Sequence, residues 1–221
     1  MIIWTIFFFF IFLVSFRTLP KALGEWDNLS NETAQFTTDD DKEKIEAAKL
    51  STVAAWHRED WGTFEKSMKI VPSESFDGAF YRAAFTVQNQ RFAEAKKFIK
   101  LARKTLEAEL TQLVPESYNR AYSAIFNAQL LSELEEVIEV KGPDRLSRRK
   151  QIYEMWEMRL IGTTYQLRPQ KSVKLDGVRP NIEDWQKIIL VRGLVPKRRL
   201  DEGEETMCLR NESIFDRFLI F

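Results

Sequence analysis

The chain has 221 residues, 33 basic and 33 acidic side chains and a formal net charge of zero, which excludes bulk attraction to nucleic acid or an acidic membrane. One cysteine (Cys208) excludes an internal disulfide and a multi-thiolate zinc site, and with one histidine (His57) the common metal and Ser-His-Asp constellations lack raw material unless a carboxylate cluster replaces them. With 8 glycines, 7 prolines and 30% charged residues, the composition is that of long exposed helices, and the length holds one domain or a short array of repeats.

Met1–Phe16, MIIWTIFFFFIFLVSF, is almost wholly apolar. As a signal peptide it lacks a basic residue ahead of the apolar run and a small-x-small site after it. As a membrane anchor it falls short of the roughly 20 residues that cross a bilayer core. The third reading places it outside the fold, and residues 1–18 are therefore set apart as their own section. Asn28, Asn31 and Asn211 head glycosylation sequons, meaningful only on the secretory route.

From Leu19 onward the pattern is helical. Asp39-Asp40-Asp41 forms the acidic start of a helix through Ile45, Ala48, Val53 and Trp56, where negative charge complements the helix dipole. His57-Arg58-Glu59-Asp60 has a superficial likeness to a kinase H-R-D loop, but the spacing is wrong and no D-F-G follows. It is read as a polar turn between helices. Phe92, Ala95, Ile99, Ala102, Leu106, Leu110 and Leu113 make one apolar stripe on a 3.6-residue period. Pro115 ends that helix and opens the next, Glu116–Val140, which carries Tyr118, Ala121, Tyr122, Ile125 and Ala128 on one face, with Leu131, Leu134, Val137 and Ile138 extending the apolar surface. Gly142-Pro143 closes it. A further helix, Asp144–Leu160, buries Leu146, Tyr153, Trp156 and Leu160. Arg168–Pro180 has no apolar period and reads as a loop, after which Asn181 caps a helix burying Trp185, Ile188 and Ile189. Residues 196–221 form a charged tail.

The helices repeat. Gly24-Glu25-Trp26, Glu59-Asp60-Trp61 and Gln90-Arg91-Phe92 align with one another, and the anchors Trp26, Trp61 and Phe92 recur at intervals of roughly 31 to 35 residues. Tetratricopeptide-type (TPR-like) hairpins have this period. The predicted fold is all-α, an α-solenoid of such hairpins, with Ala54, Ala55, Ala83 and Ala84 allowing close approach of helices. Tyr118, Tyr122, Trp156 and Trp185 complete the set of structural anchors.

No catalytic constellation emerges. Neither a G-x-G-x-x-G nor a Walker loop occurs. Glu133, Glu135, Glu136 and Glu139 form an acidic row, but helical dimetal sites need Glu-x-x-His pairs that one histidine does not provide. The row is read as the solvated side of an amphipathic helix. The region 143–199 is markedly basic. There Tyr153 and Trp156, together with Tyr118 and Tyr122, would stack bases while Arg145, Arg148, Arg149 and Lys150 held phosphate. Helical spacing assigns those aromatics to the core instead. Lys197-Arg198-Arg199 reads as basic surface or linker. No catalytic residue, cofactor or metal ligand is expected.

Several segments resemble the FAT region of target-of-rapamycin (TOR) kinases, members of the phosphatidylinositol-3-kinase-related family. They are Phe76-Asp77-Gly78-Ala79-Phe80-Tyr81-Arg82-Ala83, Glu116-Ser117-Tyr118-Asn119-Arg120-Ala121-Tyr122, Leu131-Ser132-Glu133-Leu134-Glu135-Glu136-Val137-Ile138, and Ile182-Glu183-Asp184-Trp185-Gln186-Lys187-Ile188. Ala22-Leu23-Gly24-Glu25-Trp26 fits further upstream, and the similarity runs in order from about Leu19 to Val195. The resemblance implies an α-solenoid that helps hold a Ser/Thr kinase and its complexes together in growth and nutrient signalling. Its catalytic residues would lie elsewhere in the larger protein. It also implies a non-catalytic scaffold, inactive alone, whose partners are the rest of the kinase and the TOR-complex subunits. The expected location is cytoplasmic and endomembrane-associated. Residues 168–180 look inserted, and the ends match nothing in the family, as in a truncated or mis-bounded piece. Two other readings stand beside it: a membrane-anchored or secreted helical adaptor using residues 1–16, and a basic-patch RNA or phosphate binder centred on Arg145–Arg199.

Overall fold

A computed structural model describes residues 26–35, 40–113, 118–142, 146–166 and 182–195. The apolar run 1–16, the loop 168–180 and the tail 196–221 lie outside the described residues.

Eight α-helices make up these segments: α1 (Trp26–Gln35), α2 (Asp41–His57), α3 (Trp61–Ile70), α4 (Phe76–Gln88), α5 (Phe92–Leu113), α6 (Tyr118–Lys141), α7 (Leu146–Gln166) and α8 (Ile182–Arg192). Among the described residues there is no strand. Side chains close several helix starts. Asp40 accepts from the Lys42 N–H at 2.9 Å, Asp60 from Thr63 at 3.1 Å and Ser75 from Gly78 at 3.1 Å, each satisfying an N–H the helix cannot. Asp40 and Asp41 thus behave as the sequence implies, while Asp39 lies outside the described residues.

The three aligned aromatics Trp26, Trp61 and Phe92 are each the first residue of a helix, α1, α3 and α5. The turns before α3 and α5 are copies of one another. Glu59 and Gln90 hold φ of 56° and 60°. In the first turn the Glu59 N–H bonds to the Trp56 carbonyl and the Asp60 N–H to that of Ala55. In the second the Gln90 N–H bonds to Val87 and Arg91 to Thr86. Both are Schellman turns with a left-handed residue at the same place. The repeat seen in the letters is therefore a repeat of backbone geometry, two helices and two turns per unit.

Neighbouring helices pack as antiparallel pairs, most extensively α4 with α5, α2 with α3, α5 with α6 and α1 with α2. Their shared core holds Ala55, Trp56, Phe64, Ala83, Ala84, Val87, Ala95, Ile99, Ala102 and Leu106, all buried. The alanines lie at zero exposure where helices approach. The α5 stripe is the one read from the sequence: Ala95, Ile99, Ala102 and Leu106 are buried, and Phe92 and Leu110 flank them.

Helix α6 buries the expected Ala121, Leu131, Leu134, Val137 and Ile138 and, beyond them, Phe126, Leu130 and Val140, because α5, α7 and α8 all pack on it. Two expectations need correction. Helix α7 continues past Leu160 to Gln166, with Ile152 and Trp156 as its described buried residues. On α8 the buried residues are Asp184, Val191 and Arg192, whereas Ile188 and Ile189 are half-buried.

Candidate functional site

Where α6, α7 and α8 meet, charged groups replace hydrocarbon. Glu133 stands on α6 one position from Leu134 and within a turn of Leu130 and Val137, so helical phase carries it inward. Its side chain is 1% exposed. Opposite it on α8, Arg192 is 7% exposed and grips both carboxylate oxygens, Nε to Oε2 at 2.8 Å and Nη2 to Oε1 at 3.0 Å. Its guanidinium lies 4.9 Å from the Trp156 ring centre, and Nη1 donates to the Trp156 carbonyl at 3.4 Å. A two-pronged fork of this kind is a strong charge-assisted contact, and the aromatic face adds to it.

A second layer comes from α7. Arg159 donates to Glu133 Oε1 at 2.7 Å and to both oxygens of Glu136, at 2.9 and 2.8 Å. Trp156 Nε1 donates to Glu136 Oε2 at 2.6 Å, and Gln129 Nε2 to Glu133 Oε1 at 3.0 Å. Two carboxylates and two guanidiniums therefore balance within one cluster. Burial by itself pushes the Glu133 carboxyl upward. Hydrogen bonding and charge from Arg192, with help from Arg159 and Gln129, outweigh it and hold the group below the ordinary carboxylate range. Hydrogen bonding to Glu136 makes Arg159 harder still to deprotonate. Glu133 is thus held as a carboxylate and Arg159 as a cation, and the chemistry of the pair is that of a clasp.

Smaller contacts extend the clasp along the helices. The Tyr122 hydroxyl donates to Asp184 at 3.1 Å, and Lys141 Nζ to the Leu194 carbonyl at 2.9 Å. Contacts therefore advance together along α6 and α8, which run parallel. Arg148 to Glu139 at 2.9 Å and Arg159 to Glu136 show α7 running antiparallel to α6.

The acidic row was expected on the solvated face, and for two of its members this is wrong. Glu133 is buried and the Glu136 side chain is 14% exposed, because arginines from two later helices come to meet them. Glu135 pairs instead with Arg103 of α5 at 2.6 Å. The sequence did hold a signal, since Leu130, Glu133, Leu134 and Val137 follow one helical stripe. Arg192 carried the same sign, falling on the stripe of Trp185, Ile188 and Ile189, whereas Asp184 did not.

The predicted anchors fall into two groups. Trp26 is half-buried and stacks on the His57 ring at 3.7 Å. Trp61 is half-buried against Trp56 and Phe64, at 6.4 and 5.3 Å, and Phe92 lies half-buried at the edge of the core. Tyr122 and Trp156 belong to the clasp. Tyr118 and Trp185 lie on α6 and α8, but their side chains are outside the described residues. Of the basic patch, Arg148 pairs with Glu139 and Arg149 donates to the Gly142 carbonyl at 2.9 Å. Arg145 and Lys197-Arg198-Arg199 lie outside the described residues.

A shallow hollow of about 530 Å³ runs along α7 between Arg148, Gln151, Glu154, Met155, Met158 and Arg159. Met158 is 68% exposed there. Among the described residues no group of His, Cys, Asp and Glu is placed to hold a metal ion, and no helix is long and apolar enough to cross a membrane.

Comparison with known proteins places this geometry in context. Residues 48–214 match the model of the FAT domain family. The sequence is 37% identical over 183 residues to the serine/threonine-protein kinase mTor of Drosophila melanogaster, covering 82% of this chain and 7% of that relative. It is 36% identical over 182 residues to the serine/threonine-protein kinase TOR2 of Saccharomyces cerevisiae, covering 81% of this chain and 7% of the relative. Against the serine/threonine-protein kinase TOR of Oryza sativa subsp. japonica, identity is 33% over 197 residues, 79% of this chain and 7% of the relative. The chain thus spans about 7% of the length of the curated relatives it matches.

Proposed function

The chain belongs to the FAT domain family, and from that premise we propose that it acts as a non-catalytic scaffold segment of a TOR-type Ser/Thr protein kinase. The observation that carries this reading is the use made of polar groups at its interior. Glu133, Glu136, Arg159 and Arg192 close on one another across three helices and present no acid, base or nucleophile to a substrate. A repeat array with such an interior holds other parts in place. Its partners are the remainder of the kinase and the subunits of its complexes, and its role in growth and nutrient signalling is exercised through them. Its location is that of the larger kinase, in the cytoplasm and on endomembranes, which imaging of a tagged full-length protein tests.

The decisive experiment is a segment exchange. In the Drosophila relative, the matching segment is deleted or replaced by residues 48–195 of this chain. The replacement is expected to restore assembly and kinase activity that the deletion abolishes. Deletion that leaves both unchanged, or phosphotransfer by the purified chain that a point mutation within it abolishes, overturns the reading.

A further inference from the structure

Helix α8 offers α6 two kinds of contact, and they differ in what they can specify. The apolar ones are Val191 and Leu194, with Ile188, Leu190 and Val195 packed beside them. They share one core with Leu130, Leu131, Leu134, Val137 and Ile138 of α6, the helix on which α8 packs. Both sets recur every three or four residues. Sliding α8 by one turn, about 5.4 Å, sets leucine and valine back on leucine and valine. Hydrophobic contact is non-directional and barely distinguishes such positions.

The polar contact does distinguish them. Arg192 places two N–H groups on the two oxygens of Glu133, at 2.8 and 3.0 Å, with its plane on Trp156 and both side chains almost wholly buried. One turn away the guanidinium would face hydrocarbon and the carboxylate would lose its fork. A buried charge without its partner is heavily penalised. Arg159 also donates to Glu133, so in the slipped state the carboxylate keeps one cation and the penalty falls on Arg192, buried with no carboxylate to face.

We propose that the Glu133–Arg192 fork is a register key, which selects one alignment of α8 on α6 from several that the apolar surfaces would accept. Tyr122 to Asp184 lies at the matching place one end along and acts in the same sense. The alignment fixes where Val195 stands, and so the direction in which the chain leaves the repeat. The role is one of positioning: buried ion pairs of this sort contribute little net stability over well-packed hydrocarbon, and specificity is what they supply.

The test separates register from stability. Spin labels are placed at Ser123 on α6 and Lys187 on α8, both exposed, in the full chain with Cys208→Ser, carried on a soluble fusion partner. The parent is expected to give a single narrow label-to-label distance. The double variant Glu133→Leu/Arg192→Met is expected to keep its helical signal and melt within about 5 °C of the parent. It should also show a second distance displaced by about one helical turn. The single variant Glu133→Gln leaves Arg192 buried without a carboxylate and should melt well below the double, whereas Arg192→Met leaves Glu133 with Arg159 and should fall by less. A double variant that retains the single parental distance overturns the proposal. So does one that unfolds, since the pair would then hold the fold together without choosing its alignment.

Discussion

Glu59 and Gln90 occupy a conformation that favours glycine, and the sequence alignment places Gly24 in the same column. A side chain at φ near +60° meets the following carbonyl, a penalty of roughly 1 kcal/mol. Glu59→Gly and Gln90→Gly are therefore each expected to raise stability by no more than about 0.5 kcal/mol net of the extra freedom glycine gives the unfolded chain, read as a small upward shift in the urea midpoint. Gly78 presents the opposite case. A Cβ there would sit 1.9 Å from the Pro72 carbonyl oxygen, beneath a turn that Arg82 ties down by donating to Val71 and Gly78 carbonyls at 2.9 and 2.8 Å. Gly78→Ala is expected to destabilise by about 2–3 kcal/mol. Gly62→Ala, whose Cβ meets only Asp60 at 3.5 Å, should change stability little. The first two positions were legible in the letters because the repeat exposes them. Gly78 was not, because its constraint comes from a backbone carbonyl that no pattern of side chains reports.

At the scale of elements, the helices with one neighbouring surface were readable and those with several were not. The α5 stripe followed the 3.6-residue period because α5 has a clear outer side, lined by Lys96, Lys97, Lys100 and Lys104, all exposed. Helix α6 is approached from several directions, so its buried set runs around it and the period dissolves. Its glutamates looked like surface because their partners stand 20 to 60 residues further along the chain. The contact of α1 with α2 carries a pH dependence of its own. Burial lowers the His57 pKa from 6.5 to about 4. The unfolded chain takes up a proton near pH 6.5 that the folded ring refuses until about pH 4. Stability complete above pH 6.5 is then lost as pH falls across that window, by about 1–2 kcal/mol once solvent access to the half-buried ring is allowed for. Glu133, held low, adds its own loss only as pH falls through its depressed folded value. Urea midpoints from pH 7.5 to 4.5 should decline accordingly, and His57→Gln should flatten that part of the curve. A parent already flat across this range would contradict the burial of the ring.

For the whole molecule, the solenoid architecture was readable because a repeat multiplies weak local signals. The clasp was not, since it exists only after three helices have been brought together. In a repeat array each unit covers the apolar face of its neighbour. Expressed alone, the chain is expected to self-associate as concentration rises, which sedimentation would register as a rising mean mass. A stable monomer with a sharp melt would argue that those faces are already covered. The joints between helices are also unequal. At the α3–α4 boundary, where direct contact is slight, Phe64 meets Tyr81 and Phe85 at ring separations of 6.1 and 6.0 Å, and no charged fork fixes the joint. At the α6–α8 boundary, the fork of Glu133 and Arg192 loses its hold within an ångström or so of displacement. Under tension or bending, the array should therefore flex as a compliant hinge near Phe64 and stay stiff near Arg192 until it breaks there abruptly, giving it an elastic profile that changes along its length.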